Sequence, residues 1–311
     1  MLPSPIARPL ARTALRAAVG SGAVITGYQG MVITQALIAK RAIGIKDEQW
    51  PRADGVYGDD LPGDPLRVLV LGDSAAVGYG MRRPDATPTA MIGIGLAHVL
   101  DRPVDMRSEA VVGSTTADLR EQLDAGLEHE PDLAVIVIGA NDVTHRVPSY
   151  VSMRLLHAAV SRLVDSGAQV VVGTCPDLGT VEPIPQPLRL IARRKSRGLA
   201  KRQMIATVRA GGRAVSLGDL LGPLFAERSS EMFGEDRFHP SETGYANMVA
   251  ALVPSLAAAW RERDRDFAMP HALGPSESLS LTEAAEQAGQ RPGTEVHREG
   301  RWARTLRRGR S

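Results

Sequence analysis

The sequence predicts an α/β domain of three layers, α/β/α, around a five-stranded parallel sheet. Five short runs of β-branched and aliphatic residues recur through the middle of the chain, and stretches with helical spacing separate them. Glycine, asparagine or aspartate follows several of the runs where the sheet would end. Strands covered by helices on both faces read as nearly continuous apolar runs, as those at 66–72, 132–139 and 168–174 do.

In chain order, LRVLVLG (66–72) is the first strand, and helical spacing follows over 88–100. A short strand at 104–108 precedes a helix at 116–127. DLAVIVIG (132–139) leads to a helix over 149–166, AQVVVGT (168–174) to one over 198–210, and RAVSL (213–217) to a last helix over 241–262. These elements place one catalytic-size domain at 66–263. Ahead of it, residues 46–65 are rich in proline, glycine and aspartate and form a linker. Residues 264–311 turn polar with no sustained apolar period and form a disordered tail.

Residues 1–45 carry Arg8, Arg12 and Arg16, then an uncharged run from Ala17 to Ala39, then Lys40 and Arg41. The run is long enough for a bilayer, which takes ~20 residues, although glycines and polar residues dilute it. It reads as a signal-anchor-like segment of a membrane-anchored or exported cell-envelope protein. A helix packed on the domain of a cytoplasmic protein is the alternative.

With 43% hydrophobic and 23% charged residues over 311, the chain has a soluble globular composition, which excludes disordered, collagen-like and many-spanning classes. The single cysteine, Cys175, excludes an intrachain disulfide and a cysteine-based zinc site; at the end of a strand it reads as a small buried hydrophobe or a pocket wall. A net charge of +2 gives no reason to expect a nucleic-acid partner. The charge is uneven, however. Residues 189–213 hold nine arginines and lysines and no acid, a pattern suited to an anionic membrane surface or, equally simply, to a solvated basic face.

In an open parallel sheet, ligands bind beyond the carboxyl ends of the strands, so the residues there are the candidates for chemistry. The first strand ends in Gly72-Asp73-Ser74, either an ordinary capped turn or a turn that leaves a serine hydroxyl at the strand tip. A phosphate loop is excluded, because neither GxGxxG nor GxxxxGK is present and Asp73 would repel a phosphate. Val111-Val112-Gly113-Ser114 is a second tight turn, and Gly139-Ala140-Asn141-Asp142 sets an amide at the sheet edge. Asp236-Arg237-Phe238-His239-Pro240 separates a carboxylate and an imidazole by three residues, close enough on a turn for the carboxylate to reach Nδ1 and leave Nε2 as a base. The other histidines show no HxxxH or HExxH spacing.

Taken together, Ser74 in GDS, Gly113 in VVGS, Asn141 in GAND and His239 in DxxHP resemble the SGNH/GDSL hydrolase family, in order and over about 66–262. The first block departs from the longer family form at Ala75. The resemblance implies a flavodoxin-like fold and a serine esterase of the lipase-like type that needs neither cofactor nor metal. It implies a triad of Ser74, His239 and Asp236, with an oxyanion hole from the backbone N–H groups of Ser74 and Gly113 and the side chain of Asn141. The expected substrate is a small-molecule or lipid ester of short to medium acyl chain. Two alternatives stand beside this: a carbohydrate O-acyl or acetyl esterase or acyltransferase, and a membrane-associated binding protein on an inactive hydrolase scaffold.

Overall fold

The computed structural model describes Gln35, residues 50–263 and the backbone of 295–296. Among these residues, β1 (Gly55–Tyr57), β2 (Leu66–Gly72), β3 (Val104–Ser108), β4 (Leu133–Val137), β5 (Gln169–Gly173), β6 (Arg213–Val215) and β7 (Glu295–Val296) build one sheet. The helices are α1 (Ser74–Val77), α2 (Pro88–Leu100), α3 (Leu119–Gly126), α4 (Ala140–Thr144), α5 (Ser149–Asp165), α6 (Leu188–Arg209), α7 (Leu217–Glu227), α8 (Ser229–Met232) and α9 (Glu242–Glu262).

The strand order is β1-β3-β2-β4-β5-β6-β7. The five inner strands are parallel, as the sequence predicts. Antiparallel β1 and β7 close the two edges. From β2 the chain moves outward to β3 on one side, then returns to β4 on the other. The connections therefore diverge at β2, and the crevice of a doubly wound sheet opens at its carboxyl end.

Strand side chains alternate between two cores. Val68, Val70, Val135, Val137 and Val171 face α2 and α9 and meet Leu96, Tyr245, Leu252 and Leu256. Leu69, Leu71, Ala134, Ile136 and Val172 face the other way, toward Leu119 and Leu123 of α3 and Leu156, Val160 and Leu163 of α5. Full burial of each valine, leucine or isoleucine among them is worth ~1.5–3 kcal/mol, and a one-residue slip of any central strand would turn its side chains to the opposite core. Caps set the helix that follows the first site block. Thr87 Oγ1 accepts from the Ala90 N–H, Pro88 occupies the first turn, and Asp101 ends the helix at φ 52°.

Several expectations are corrected. Residues 50–57 are not linker. β1 pairs with β3, the Ser108 N–H donates to Asp54 Oδ1 at 2.9 Å, and the Tyr57 hydroxyl donates to the Ala53 carbonyl at 2.7 Å. A three-residue edge strand is too short to show a period. Within the expected tail, 295–296 pair with β6; the remainder of 264–311 lies outside the described residues. So does the 17–39 run, and among the described residues no helix is long and apolar enough to cross a membrane.

The fifth strand stops at Val215, and α7 and α8 fill a region the sequence left unassigned. α6 begins at Leu188 rather than 198, because its buried face is partly polar: Ser196, Gln203 and Thr207 lie beside Leu199 and Met204, and a count of apolar spacing passes over them. The basic stretch 189–213 also finds acids in space that it lacks in sequence. Arg193 and Arg197 reach Asp177 at 3.4 and 3.6 Å, Arg197 reaches Asp219 at 2.8 Å, and Arg213 reaches Glu262 at 2.6 Å.

Candidate active site

The turn after β2 is shaped by what cannot fit there. Gly72 has φ 141°, and a Cβ on it would lie 2.0 Å from the Val137 carbonyl oxygen, so only glycine lets β2 bend against β4. Asp73 caps α1 by accepting the Ala75 N–H at 3.0 Å. Complete burial pushes the Asp73 carboxyl up to about 7; N–H groups from Ala75 and Gly139 oppose the rise, and the charge of Asp142 adds to it. Ser74 then stands at the first position of α1, buried, and its carbonyl accepts from the Gly78 N–H at 3.1 Å.

The second turn precedes α9. Asp236 Oδ1 accepts the N–H groups of Phe238 and His239, each at 2.9 Å, and the Gly234 N–H donates to the His239 carbonyl at 2.9 Å. Arg237 adopts φ 54°, which folds the turn back on itself. Asp236 Oδ2 lies 2.6 Å from His239 Nδ1, and His239 Nε2 lies 3.0 Å from Ser74 Oγ. One tautomer satisfies both contacts: Nδ1–H donates to the carboxylate, and the serine hydroxyl donates to Nε2. Burial raises the Asp236 carboxyl, but the bond from His239 and the backbone N–H groups outweigh it and leave the carboxyl below its ordinary value. The imidazole is clamped from two further sides. Tyr79 stacks on it with centroids 4.0 Å apart, and Phe238 meets it edge-on at 4.9 Å.

The other two blocks are tied to the first by hydrogen bonds. The Val111 N–H donates to the Gly72 carbonyl at 3.1 Å, ahead of Gly113, which has φ 86°. Asn141 Nδ2 donates to the Ser114 carbonyl at 3.0 Å, which uses one of its two hydrogens. Asp142 is buried; it accepts the Thr116 N–H at 3.1 Å and the Ser152 hydroxyl at 2.6 Å, joining α4 to the Gly113 turn and to α5. Ser74, His239 and Asp236 are thus in one hydrogen-bonded chain, and the Gly113 and Asn141 blocks are fastened beside it.

Sequence reasoning passed over three kinds of residue here. Two buried glutamines staple the strand ends. Gln122 accepts the Gly72 N–H at 2.8 Å and donates to the Gly72 carbonyl at 2.9 Å and to Ser114 Oγ at 3.1 Å. Gln203 donates to the Ile138 carbonyl at 2.9 Å and accepts the Cys175 N–H at 2.7 Å. Each is one among several polar residues of its helix, with no local signal. Tyr79 is the second, and Trp50 the third, stacked on Tyr79 at 4.3 Å from the segment taken for linker.

Cys175 itself is buried against Leu199 and Ala200, and burial pushes its thiol up, first of all causes. Beside Ser74 and His239 a cavity of about 90 Å³ is walled by apolar side chains, among them Leu178, Val181, Leu221, Phe225 and Phe238.

The model of the GDSL-like lipase/acylhydrolase family matches residues 70–246. A GDSL-like esterase of Mycobacterium tuberculosis is 38% identical over 259 residues, covering 79% of this chain and 82% of that one. An arylesterase of Vibrio mimicus is 36% identical over 107 residues, or 34% of this chain and 52% of that one. Among solved structures, a catalytic mutant of an acetylxylan esterase from Geobacillus stearothermophilus aligns with TM-score 0.49 and 18% identity, over 64% of this chain and 97% of that one.

Proposed function

Since the chain belongs to the GDSL-like lipase/acylhydrolase family of ester hydrolases, we propose that it cleaves carboxylic acyl esters through an acyl-enzyme on Ser74. The observation that carries this is the continuous contact Asp236–His239–Ser74, at 2.6 and 3.0 Å. Ser74 Oγ attacks the ester carbonyl while His239 Nε2 takes its proton. The resulting oxyanion lies toward the N–H groups of Ser74 and Gly113 and the second hydrogen of Asn141 Nδ2, each donor of this kind being worth ~3–4 kcal/mol. Collapse expels the alcohol, which leaves with the proton from Nε2. Water, deprotonated by the same nitrogen, then attacks the acyl-enzyme and frees the acid and Ser74. Asp236 holds the ring and its charge throughout.

The apolar cavity beside Ser74 supports an acyl group of short to medium length. The esterase relatives set aside the alternative of a binding protein on an inactive scaffold. Transfer of the acyl group to a carbohydrate hydroxyl in place of water stays within the same chemistry, and product analysis with an added sugar acceptor tests it. The uncharged run 17–39 supports a place in the cell envelope; recovery of the full chain wholly in the soluble fraction would overturn that.

The test of the central reading is a chromogenic ester together with a serine-directed phosphonate. Turnover, and phosphonate mass on the peptide that contains Ser74, are expected. Turnover with label on another residue would refute the assignment.

A further inference from the structure

We propose that the cleft between the α4–α5 connection and α6 is a binding site for a phosphate group. Arg146, Arg194, Lys195 and Arg202 line this cleft, whose volume is about 460 Å³. The three from α6 stand at i, i+1 and i+8, on one side of the helix, and Arg146 faces them from the connection, where its φ is 57°.

The cleft differs from the opposite side of α6 in lacking a counter-charge. Arg193 and Arg197, on the other side of α6, are matched to Asp177 and Asp219. None of the four cleft cations is in an ion pair among the described residues; the contact Arg202 makes is with the Ser149 hydroxyl, at 3.4 Å. Asp142 is the one carboxylate in the lining. It is buried, its oxygens accept from the Thr116 N–H and the Ser152 hydroxyl, and it forms no ion pair with the cleft cations among the described residues. α5 begins at the rim with no acidic residue in its first turn. Gly198 keeps the floor open, since a Cβ there would meet nothing nearer than Arg202 Nη1 at 3.9 Å.

Four like charges converging on one open cleft repel one another, and an anion between them relieves that repulsion. Guanidinium forks from two sides with a lysine point charge suit the several oxygens of a phosphate. The site lies across the short α4 from the apolar cavity, which Ala140 lines while Asp142 and Val143 line the cleft. Binding there is independent of whether Ser74 is the nucleophile.

Titration calorimetry on the full chain with inorganic phosphate, at low and matched ionic strength against chloride, tests this. Saturable one-to-one binding is expected, weakened at least ~10-fold in Arg194→Gln/Lys195→Gln and kept in Arg189→Gln/Lys201→Gln, which removes the same charge outside the cleft. Hydrolysis of a short neutral ester should be unchanged in both variants.

Vesicles of phosphatidylglycerol and phosphatidylcholine identify the carrier of the phosphate. Binding to the anionic vesicles that inorganic phosphate displaces supports a lipid headgroup in the cleft, and phosphate binding without vesicle binding supports a free or small-molecule phosphate. No saturable heat with phosphate, or equal loss in the two double variants, overturns the site and returns these cations to a solvated basic face.

Discussion

Ser74 sits on a turn whose backbone is tied to the sheet, whereas His239 sits on a turn tied largely to itself. The Asp73 N–H donates to the Val137 carbonyl at 3.1 Å, Gly72 is gripped through both its N–H and its carbonyl by Gln122, and Asp73 is sealed in the interior. Around His239 most anchors are local: Asp236 binds two N–H groups within its own turn and the Arg237 N–H closes it onto Gly234, while the Arg237 side chain reaches Glu182 at 2.5 Å from the exposed side. The carboxylates diverge accordingly. Burial with few compensating partners pushes Asp73 up to about 7, while the bond from His239 leaves Asp236 below its ordinary value despite burial. The nucleophile turn is held by long-range packing; the base turn is held by short-range hydrogen bonds and is therefore easier to perturb without unfolding the domain.

The largest effect should come from breaking the contact between the two turns. Ser74→Ala is expected to lower kcat/KM for a small ester by at least ~10³ with circular dichroism unchanged, because triad members act as a unit. A variant retaining a tenth of the parent's activity would remove Ser74 from the nucleophile's role. Breaking the base turn at its carboxylate should cost less. Asp236→Asn is expected to lower kcat by up to ~10⁴, below the loss in His239→Ala, if the carboxylate orients the ring and stabilises its charge. Steady-state kinetics on both variants decides this, and the reverse order would give Asp236 a different part.

A third comparison is made in stability. Asp73 has a raised pKa in the folded protein, so the fold binds its proton more tightly than the unfolded chain, where the value is ~3.9. That stabilisation is complete below ~4 and is lost as pH rises toward about 7. Asp73→Asn should remove this decline, so its Tm relative to the parent should rise between pH 4.5 and 7.5; a constant difference would show that Asp73 does not titrate in that window. Asp236 works in the opposite sense. Its lowered pKa stabilises the fold above the unfolded value and is lost only as pH falls below ~4.

The smallest effect concerns the aromatic prop of the base turn. Tyr79→Leu keeps an apolar contact but removes the ring stacked on His239, a contact class worth ~0.5–1.5 kcal/mol. A few-fold fall in kcat with little change in KM is expected. A change in KM alone would make Tyr79 a wall of the substrate site.

What could be read in the sequence follows the range of the interactions. The strands β2, β4 and β5 were legible because each is five to seven residues of mostly aliphatic chain buried on both faces; β3, with Asp105 and Arg107, and three-residue β6 were read from the alternation around them. The helices over 88–100 and 241–262 were legible from their spacing. The site blocks were legible because strand ends are where a doubly wound sheet binds ligands, and because Asp236 and His239 need only a turn to meet. β1 and β7 were not legible, since two or three residues carry no period and edge pairing is decided by the partner strand.

By itself, then, the sequence determined the layer architecture, the turns at the strand ends that carry Ser74, Gly113 and Asn141, and the local Asp236–His239 pair ahead of the last helix. Tertiary structure alone decided the rest. It brought Ser74 within 3.0 Å of a histidine 165 positions away. It turned Gln122, Gln203 and Tyr79 from ordinary helix and loop residues into the props of the site, and it sorted one run of cations into a side neutralised by Asp177 and Asp219 and a side left open. The physical reason is common to all of these. Periodicity and turn chemistry act between neighbours in the chain, whereas burial, charge compensation and the environment of a carboxylate depend on whatever the folded chain places alongside.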